Sequence, residues 1–182
     1  MILSDRTIQE FIERGKIKIL PSVDTKNIRP TGIRLHLGDE LLIPLPSQTI
    51  DLSASPEIQY NKINIHKEWY ILQPGEFVLG TTKESIHLAE GIVGKLDGRS
   101  TFARLGLLIH CSSDTVDGNH EHPRAIVLEM KNIGNLNLKV KSGIPIAMIL
   151  FHTLTEPIQQ KSQAQYAHQT GVQPANLSGQ LK

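Results

Sequence analysis

The stretch Gly32-Ile33-Arg34-Leu35-His36-Leu37-Gly38 decides the fold class. Its apolar and polar residues alternate strictly, which is typical of a β-strand with one buried face. Further short strand candidates follow, separated by turn dipeptides such as Pro74-Gly75 and Ser142-Gly143. These candidates are Glu40–Pro44, Trp69–Leu72, Phe77–Thr81, Ser85–Leu88, Ile92–Leu96, Leu105–Ser112, Ala125–Asn132, Leu138–Lys141 and Ile146–His152. Many short strands without βαβ alternation predict a mainly β fold, either a sandwich or a barrel.

One helix and one tail flank the predicted strands. Ile8, Phe11 and Ile12 have the spacing of one helix face, which predicts a short amphipathic helix over residues 4–14. Ser4 is a good residue to begin that helix and Gly15 to end it. Residues 159–182 are rich in Gln, Ser and Ala, which is typical of a mobile tail. We therefore expect a single domain over residues 1–158 and a tail over residues 159–182.

Composition limits the function classes. The chain has 182 residues, 39% of them hydrophobic and 20% charged, which suits one globular domain. A net charge of +1 gives no electrostatic basis for general nucleic-acid binding. The single cysteine, Cys111, excludes an intrachain disulfide and a Cys-rich zinc site, and it predicts a cytoplasmic location. The apolar stretches are too short to span a membrane and the first residues turn polar too early for a signal peptide, so we expect a soluble protein.

The segment Asp97-Gly98-Arg99-Ser100-Thr101-Phe102-Ala103-Arg104-Leu105-Gly106 is the densest candidate site. A turn leads into Ser100 or Thr101, both good N-caps, and then into about one helical turn. Ser100 and Arg104 are four residues apart and would share a helix face, with Arg99 beside them. Two guanidiniums, a hydroxyl and free backbone N–H groups would bind phosphate oxygens. The alternative is a solvated basic turn.

A second candidate lies in the predicted strand Ala125–Asn132. Alternation places Ile126, Leu128 and Met130 on one face and Val127, Glu129 and Lys131 on the other. Glu129 thus stands mid-strand among apolar residues. It lies either on a solvated face or in a pocket, where a carboxyl group with a raised pKa could transfer protons.

The run His120-Glu121-His122 offers a possible metal clip, because residues i and i+2 can share one face of a strand. Gly118, Asn119 and Pro123 around it favour instead a surface loop with ordinary histidines. The zinc-deaminase signature, H-x-E followed by P-C-x-x-C, does not occur in the chain. We therefore expect no protein-held metal.

Several stretches together resemble the dCTP deaminase branch of the dUTPase-like superfamily. Pro74–Leu79 is similar to its P-G-E-F-V-L strand, and Gly98–Leu107 is similar to its G-R-S-S-x-A-R-L-G-L motif. Val127–Asn132 resembles its T-L-E-x-x-N strand. The opening Met1–Arg6 resembles the start of the family, and Tyr166 with Gln169-Thr170-Gly171 resembles its tail motif K-Y-x-x-Q-x-G. The similarity extends over nearly the whole chain.

The resemblance implies a distorted β-barrel or jelly-roll fold of the dUTPase-like type, and a homotrimer with active sites at subunit interfaces. It implies zinc-independent hydrolytic deamination of a deoxycytidine nucleotide, dCTP, to dUTP and ammonia. Mg²⁺ would be bound through the triphosphate, and no partner nucleic acid or membrane is implied. Further hydrolysis to dUMP occurs in related bifunctional enzymes, in which the run that contains Asp117 also serves triphosphate hydrolysis.

The same resemblance assigns roles to single residues. Glu129 would be the general base and acid, assisted by Ser100 and Arg104. Those two residues and Arg99 would come from the neighbouring subunit and bind phosphate or hold the reacting centre. A hairpin around residues 113–117 would read the base edge, largely through backbone groups, with Ser113, Thr115, Val116 and Asp117. Gln169 would join the phosphates when the tail closes.

The chain departs from the family pattern at three places. Arg34 and His36 stand where the family has an aspartate and an arginine. The run from Asp117 to Arg124 replaces D-P-G-F-x-G and is longer, and Gln165 replaces the tail lysine. Loss of that lysine removes one phosphate partner, for which Arg34 or Arg124 is a candidate replacement.

These departures leave three alternatives open. One is a dUTPase-like nucleotide pyrophosphatase, although dUTPases do not need a carboxylate at the place of Glu129. Another is a deaminase of a different or modified cytosine nucleotide, with the longer histidine-rich loop reshaping the pocket. The third is a non-catalytic nucleotide-binding trimer.

Overall fold

The computed structural model describes residues 1–159, 166, 169 and 171–178. Its first half contains the helix α1 (Asp5–Glu13), a 3₁₀ turn (Thr25–Asn27) and the strands β1 (Ile17–Leu20), β2 (Ile28–Arg29), β3 (Gly32–His36), β4 (Glu40–Pro44), β5 (Tyr60–Asn64), β6 (Tyr70–Leu72) and β7 (Phe77–Leu88). Its second half contains the helix α2 (Ser100–Ala103) and the strands β8 (Ile92–Gly98), β9 (Leu107–Leu108), β10 (Thr115–Val116), β11 (Arg124–Asn132), β12 (Leu138–Val140) and β13 (Pro145–Thr153). The predicted mainly β architecture is confirmed.

The N-terminal helix forms as the apolar spacing predicts. The Ser4 side chain accepts a hydrogen bond from the Thr7 backbone N–H, and the apolar face of α1 buries Ile8 completely. The chain then turns through Gly15 at φ +68°, a left-handed conformation that glycine adopts without steric cost. The predicted cap and end of this helix are both confirmed.

Two antiparallel sheets enclose the core. The larger has the order β5-β4-β7-β11-β9, with β1 also paired to β7, and the smaller has the order β10-β8-β13-β3-β2. Strands β6 and β12 form a separate pair. In β3, Ile33 and Leu35 are fully buried, while Arg34 and His36 are only partly covered. The alternation in Gly32–Gly38 therefore predicted the buried face of this strand correctly. Within the described residues, no helix is long and apolar enough to cross a bilayer.

The predicted strand boundaries fail at several places. The candidates Phe77–Thr81 and Ser85–Leu88 form the single strand β7, which pairs with β11 on both sides of a register irregularity. Of the candidate Leu105–Ser112, only Leu107–Leu108 pairs as a strand. Beyond this pair, the Cys111 N–H donates to the Glu129 carboxylate and not to a backbone carbonyl. Strands β1 and β5 were not predicted, although the apolar alternation of β1 was visible in the sequence.

Candidate active site

A cavity of about 380 Å³ lies where strands of the two larger sheets approach each other. Aromatic and aliphatic side chains of the larger sheet form one wall, namely Tyr60, Phe77 and Leu79 with part of β11. Leu96 of β8 and the hairpin strand β10 supply a second wall from the smaller sheet. A concave, largely apolar cavity of this size with a few polar groups is typical of a small-molecule site.

Glu129 lies in the wall of this cavity and not on an open solvated face. Its Oε2 atom accepts a hydrogen bond from the Cys111 backbone N–H at 3.1 Å, and strand pairing places it opposite Leu79 of β7. One carboxylate oxygen is thus held by the protein while the other has no hydrogen-bond partner among the described residues. An oriented carboxylate with a free oxygen can accept or deliver a proton at a bound ligand.

Cys111 contributes to this arrangement mainly through its backbone. Its Sγ atom lies 3.7 Å from the Glu129 carbonyl oxygen. Burial and the neighbouring carboxylate of Glu129 raise the pKa of the Cys111 thiol, which favours its protonated form.

The hairpin after Cys111 lines the cavity with Ser113, Thr115 and Val116, and their role in reading a base stays a prediction. Strand β10 pairs with Lys95 and Gly94 of β8, which fixes the hairpin backbone. The Lys95 ammonium donates to Asp114 at 2.5 Å and holds the pKa of that carboxyl group below its usual range. Asp114 is therefore a paired anion at the edge of the cavity.

The longer loop packs against the end of β7. A Cβ added at Gly118 would stand 2.4 Å from the Ile92 carbonyl oxygen, so only glycine allows this approach. The Asn119 N–H donates to the Leu88 carbonyl, and His120 is 5% exposed. Burial lowers the pKa of His120, and the nearby Arg124 guanidinium lowers it further.

The residues of the possible metal clip differ in burial. His120 is buried, while Glu121 and His122 are exposed. Within the described part of the chain, no group of three or more His, Cys, Asp or Glu side chains is arranged to hold a metal.

The phosphate motif lies outside this cavity. In one copy of the chain, the residues Arg99, Ser100 and Arg104 do not line it. Arg99 donates to the Pro145 carbonyl at 2.7 Å, and its guanidinium stacks near the Phe102 ring. The prediction that Ser100 or Thr101 caps α2 is wrong, because Arg99 occupies the N-cap position and no side chain caps the helix.

The predicted helix face of this motif is nevertheless present. The Arg104 N–H donates to the Ser100 carbonyl at 3.2 Å, which brings these two residues onto one side of the turn. Gly106 follows at φ +85°, and a Cβ there would stand 2.3 Å from the Gly134 nitrogen. The glycine of the motif is therefore needed for the turn that ends it.

Asp117 and His36, two positions singled out from the sequence, do not line the cavity. Asp117 is exposed and does not line the cavity in a single copy of the chain, so its contact with a ligand stays a prediction. His36, which departs from the family motif, binds the buried Glu84 through its ring at 2.6 Å and through its backbone N–H at 2.8 Å. That pair lies outside the cavity.

Described residues of the tail lie against the cavity. The Gln169 side chain donates to the Ala125 carbonyl at 3.2 Å, and Tyr166 also lines the cavity. Val172 is buried in a small cluster with Leu42 and Leu79. Gln165 and Thr170, which belong to the predicted tail motif, lie outside the described residues.

Sequence reasoning missed the apolar lining and Arg124. Tyr60, Phe77, Leu79 and Leu96 carry no signal beyond their apolar character. Arg124 was named only as a candidate replacement cation beside Arg34, and the structure places Arg124 in the cavity lining. Arg34 is not among the lining residues.

Comparison with known proteins gives consistent matches. A sequence model described as dCTP deaminase-like matches residues 2–154. A dCTP deaminase of Buchnera aphidicola subsp. Schizaphis graminum is 36% identical over 193 residues, covering 97% of this chain and 98% of the relative. A dUMP-forming dCTP deaminase of Methanosphaera stadtmanae is 31% identical over 186 residues, covering 97% and 93%.

Among solved structures, the crystal structure of 2'-deoxycytidine 5'-triphosphate deaminase from Agrobacterium tumefaciens matches with a TM-score of 0.64 at 17% identity. The match covers 82% of this chain and 47% of that chain, so this chain spans about half its length. The match confirms the predicted fold type.

Proposed function

Because this chain belongs to the dCTP deaminase-like family, we propose that it hydrolyses the exocyclic amino group of dCTP to give dUTP and ammonia. The observation that carries the proposal is the Glu129 carboxylate, which lies in the wall of a nucleotide-sized cavity with one oxygen held by a backbone N–H. Relatives named dCTP deaminase match almost the full length of the chain and support the substrate class. The proposal places the enzyme in the cytoplasm, which the single cysteine supports.

Glu129 acts in this proposal as general base and then as general acid. The carboxylate takes a proton from water as the water oxygen attacks C4 of cytosine, and the carboxyl group passes that proton to N3. The carboxylate then takes the proton of the new C4 hydroxyl group and gives it to the amino nitrogen, so that the C4–N4 bond breaks and a C4 carbonyl and ammonia remain. Glu129 performs these transfers without zinc, because the sequence lacks the zinc-deaminase signature.

Arg99, Ser100 and Arg104 reach the cavity in this proposal from a neighbouring copy, in a homotrimer. Ser100 and Arg104 are exposed in the single chain, and none of the three residues lines its own cavity. Large apolar side chains near α2 are exposed as well, at 41% for Leu105 and 52% for Leu136. An exposed apolar surface beside an exposed cation such as Arg104 is expected at a subunit interface.

The hairpin residues Ser113, Thr115 and Val116 read the base in this proposal, with Asp117 beside them. Backbone groups of a paired hairpin can discriminate the donors and acceptors of cytosine. The proposal includes a tail over residues 159–182 that closes on the single domain of residues 1–158. Gln169, which lines the cavity, would contact the phosphates. Mg²⁺ arrives with the triphosphate, whose oxygens can supply most of its ligands.

A product assay tests this proposal. Purified protein is given Mg²⁺ and, separately, dCTP, dCMP, CTP and dUTP, and ammonia, nucleotide products and diphosphate are followed. We expect ammonia from dCTP, and its loss in Glu129→Gln. Glu13→Gln, an exposed glutamate at the end of α1, is the matched control and should keep wild-type activity.

Other outcomes of that assay would contradict the proposal. Diphosphate from dUTP without ammonia from any substrate would show a dUTPase-like pyrophosphatase. Ammonia released only from another cytosine nucleotide would show a deaminase with a different substrate. Tight nucleotide binding without any product would show a non-catalytic binding protein.

A second activity, hydrolysis of dUTP to dUMP and diphosphate, is favoured by the names of two relatives. The dUMP-forming dCTP deaminases of Methanosphaera stadtmanae and Dictyoglomus thermophilum are 31% and 34% identical to this chain. Diphosphate released together with ammonia from dCTP would establish this activity.

A further inference from the structure

The charged side chains that line the cavity differ in whether another group of the protein binds them. Its described lining contains three charged side chains, Asp114, Arg124 and Glu129. Asp114 is paired with Lys95, and Glu129 is held by the Cys111 N–H. Among the described residues, Arg124 is the only cation in the lining and forms no salt bridge.

Arg124 is held in a partly desolvated position. Burial lowers the pKa of its guanidinium, and the neighbouring Asp117 carboxylate acts in the opposite direction. An arginine stays charged under these conditions, because its ordinary pKa is far above neutrality. Removing a cation from water without an ion pair costs free energy, and a bound anion would offset that free-energy cost.

The position of Arg124 on β11 indicates which part of a nucleotide it meets. Arg124 and Glu129 are five residues apart on that strand, so their Cα atoms are separated by about 16 Å. The reacting edge of cytosine must lie at Glu129. A group bound at the other end of the strand is then beyond the base, where the phosphate chain of the same nucleotide would lie.

We propose that Arg124 binds the phosphate chain of the substrate and makes the site selective for nucleotides over nucleosides. This inference rests on the proposed function, since it places the cytosine at Glu129. The guanidinium presents several N–H donors in a planar fork, which matches the oxygens of a phosphate group. The cation comes from the same chain as Glu129, whereas the Arg99–Arg104 motif would come from a neighbour.

Equilibrium binding to substrate and nucleoside tests the role of Arg124. The variants are made in the Glu129→Gln background, so that dCTP is not consumed, and calorimetry measures the dissociation constants of dCTP and deoxycytidine. Arg124→Met should weaken dCTP binding about ten- to hundredfold, the effect of losing charged hydrogen bonds, and change deoxycytidine binding less than about twofold. Arg124→Lys should weaken dCTP binding about three- to tenfold and leave deoxycytidine binding unchanged, because lysine keeps the charge but lacks the planar set of N–H donors.

The controls separate this inference from the proposed function. Arg14→Met removes an exposed arginine that pairs with Glu10 on α1, and it should bind both ligands like the parent protein. Unchanged dCTP binding in Arg124→Met, or an equal loss for dCTP and deoxycytidine, would overturn the inference. If Arg124→Met does not fold, Arg124→Lys decides by the same comparison. Absence of ammonia release by the wild-type protein would refute the proposed function instead, while the binding comparison would still decide what Arg124 does.

Discussion

The fully buried side chain of Asn132 makes three hydrogen bonds, which join the end of β6 to the turn after β11. Its Nδ2 atom donates to the Leu72 carbonyl at 3.0 Å and to the Leu136 carbonyl at 2.8 Å, and its Oδ1 atom accepts from the Gly134 N–H at 3.1 Å. Gly134 in turn packs on Gly106 at the end of the phosphate motif. Asn132 therefore stabilises the turn that supports this motif.

Replacing Asn132 by leucine should lower the free energy of unfolding by about 2–4 kcal/mol, since each of the three hydrogen bonds contributes about 0.5–1.5 kcal/mol net. Asn132→Asp should cost at least as much, because a carboxyl oxygen would then face two carbonyl oxygens in the interior. For a domain of this length the loss corresponds to a fall in the thermal midpoint of roughly 5–15 °C.

Urea denaturation followed by circular dichroism, at one fixed protein concentration, measures the effect. Asn137→Leu is the matched control, because Asn137 is exposed on the same turn, and it should change stability by less than about 0.5 kcal/mol. A decrease in the free energy of unfolding of less than about 1 kcal/mol in both Asn132 variants would refute the reasoning that this side chain stabilises the turn.

Three other perturbations test the site. Cys111→Ala should keep activity within about twofold, because the carboxylate of Glu129 is held by the backbone N–H and not by the thiol; a much larger loss in steady-state assays would contradict this. Burial lowers the pKa of His120 below its ordinary value near 6.5, so the unfolded chain binds the proton first and stability should fall as pH drops below about 6.5. Thermal midpoints between pH 7 and pH 5 should fall less steeply in His120→Gln, and an unchanged slope would show that other groups carry the effect. Val172→Ala removes a buried contact worth about 1 kcal/mol and should raise KM for dCTP severalfold with a smaller change in kcat; an unchanged KM would show that the tail does not help to bind substrate.

Local patterns predicted the elements whose signal lies within a few neighbouring residues. The α1 helix follows from one apolar face and its cap, and β3 follows from strict alternation with Ile33 and Leu35 inside. Boundaries failed where the deciding contact is remote in sequence. The predicted strand over residues 105–112 pairs only at Leu107–Leu108, and the Cys111 N–H binds the Glu129 carboxylate, a remote contact that local propensity does not encode.

For the site, residue types indicated the chemistry but left the surroundings of each residue open. Glu129 could be named from its motif, yet a mid-strand carboxylate more often faces solvent than a cavity. Pairing of β11 with β7, together with the hairpin across from it, placed Glu129 in a cavity wall. Arg124 belongs to no motif. It stands out only in the tertiary structure, because it is the one cation among the described lining residues and forms no salt bridge.

The sequence by itself determined the fold class, the family and the residue types available for chemistry, because alternation, turn residues and contiguous motifs are local properties of the chain. Only the tertiary structure decided which of these residues share a cavity. It brought Glu129, the hairpin, Arg124 and Gln169 together and left the Arg99–Arg104 motif on the outside of the same copy. The physical reason is that strand register and loop packing, which depend on contacts between distant segments, set the position of every side chain at the site.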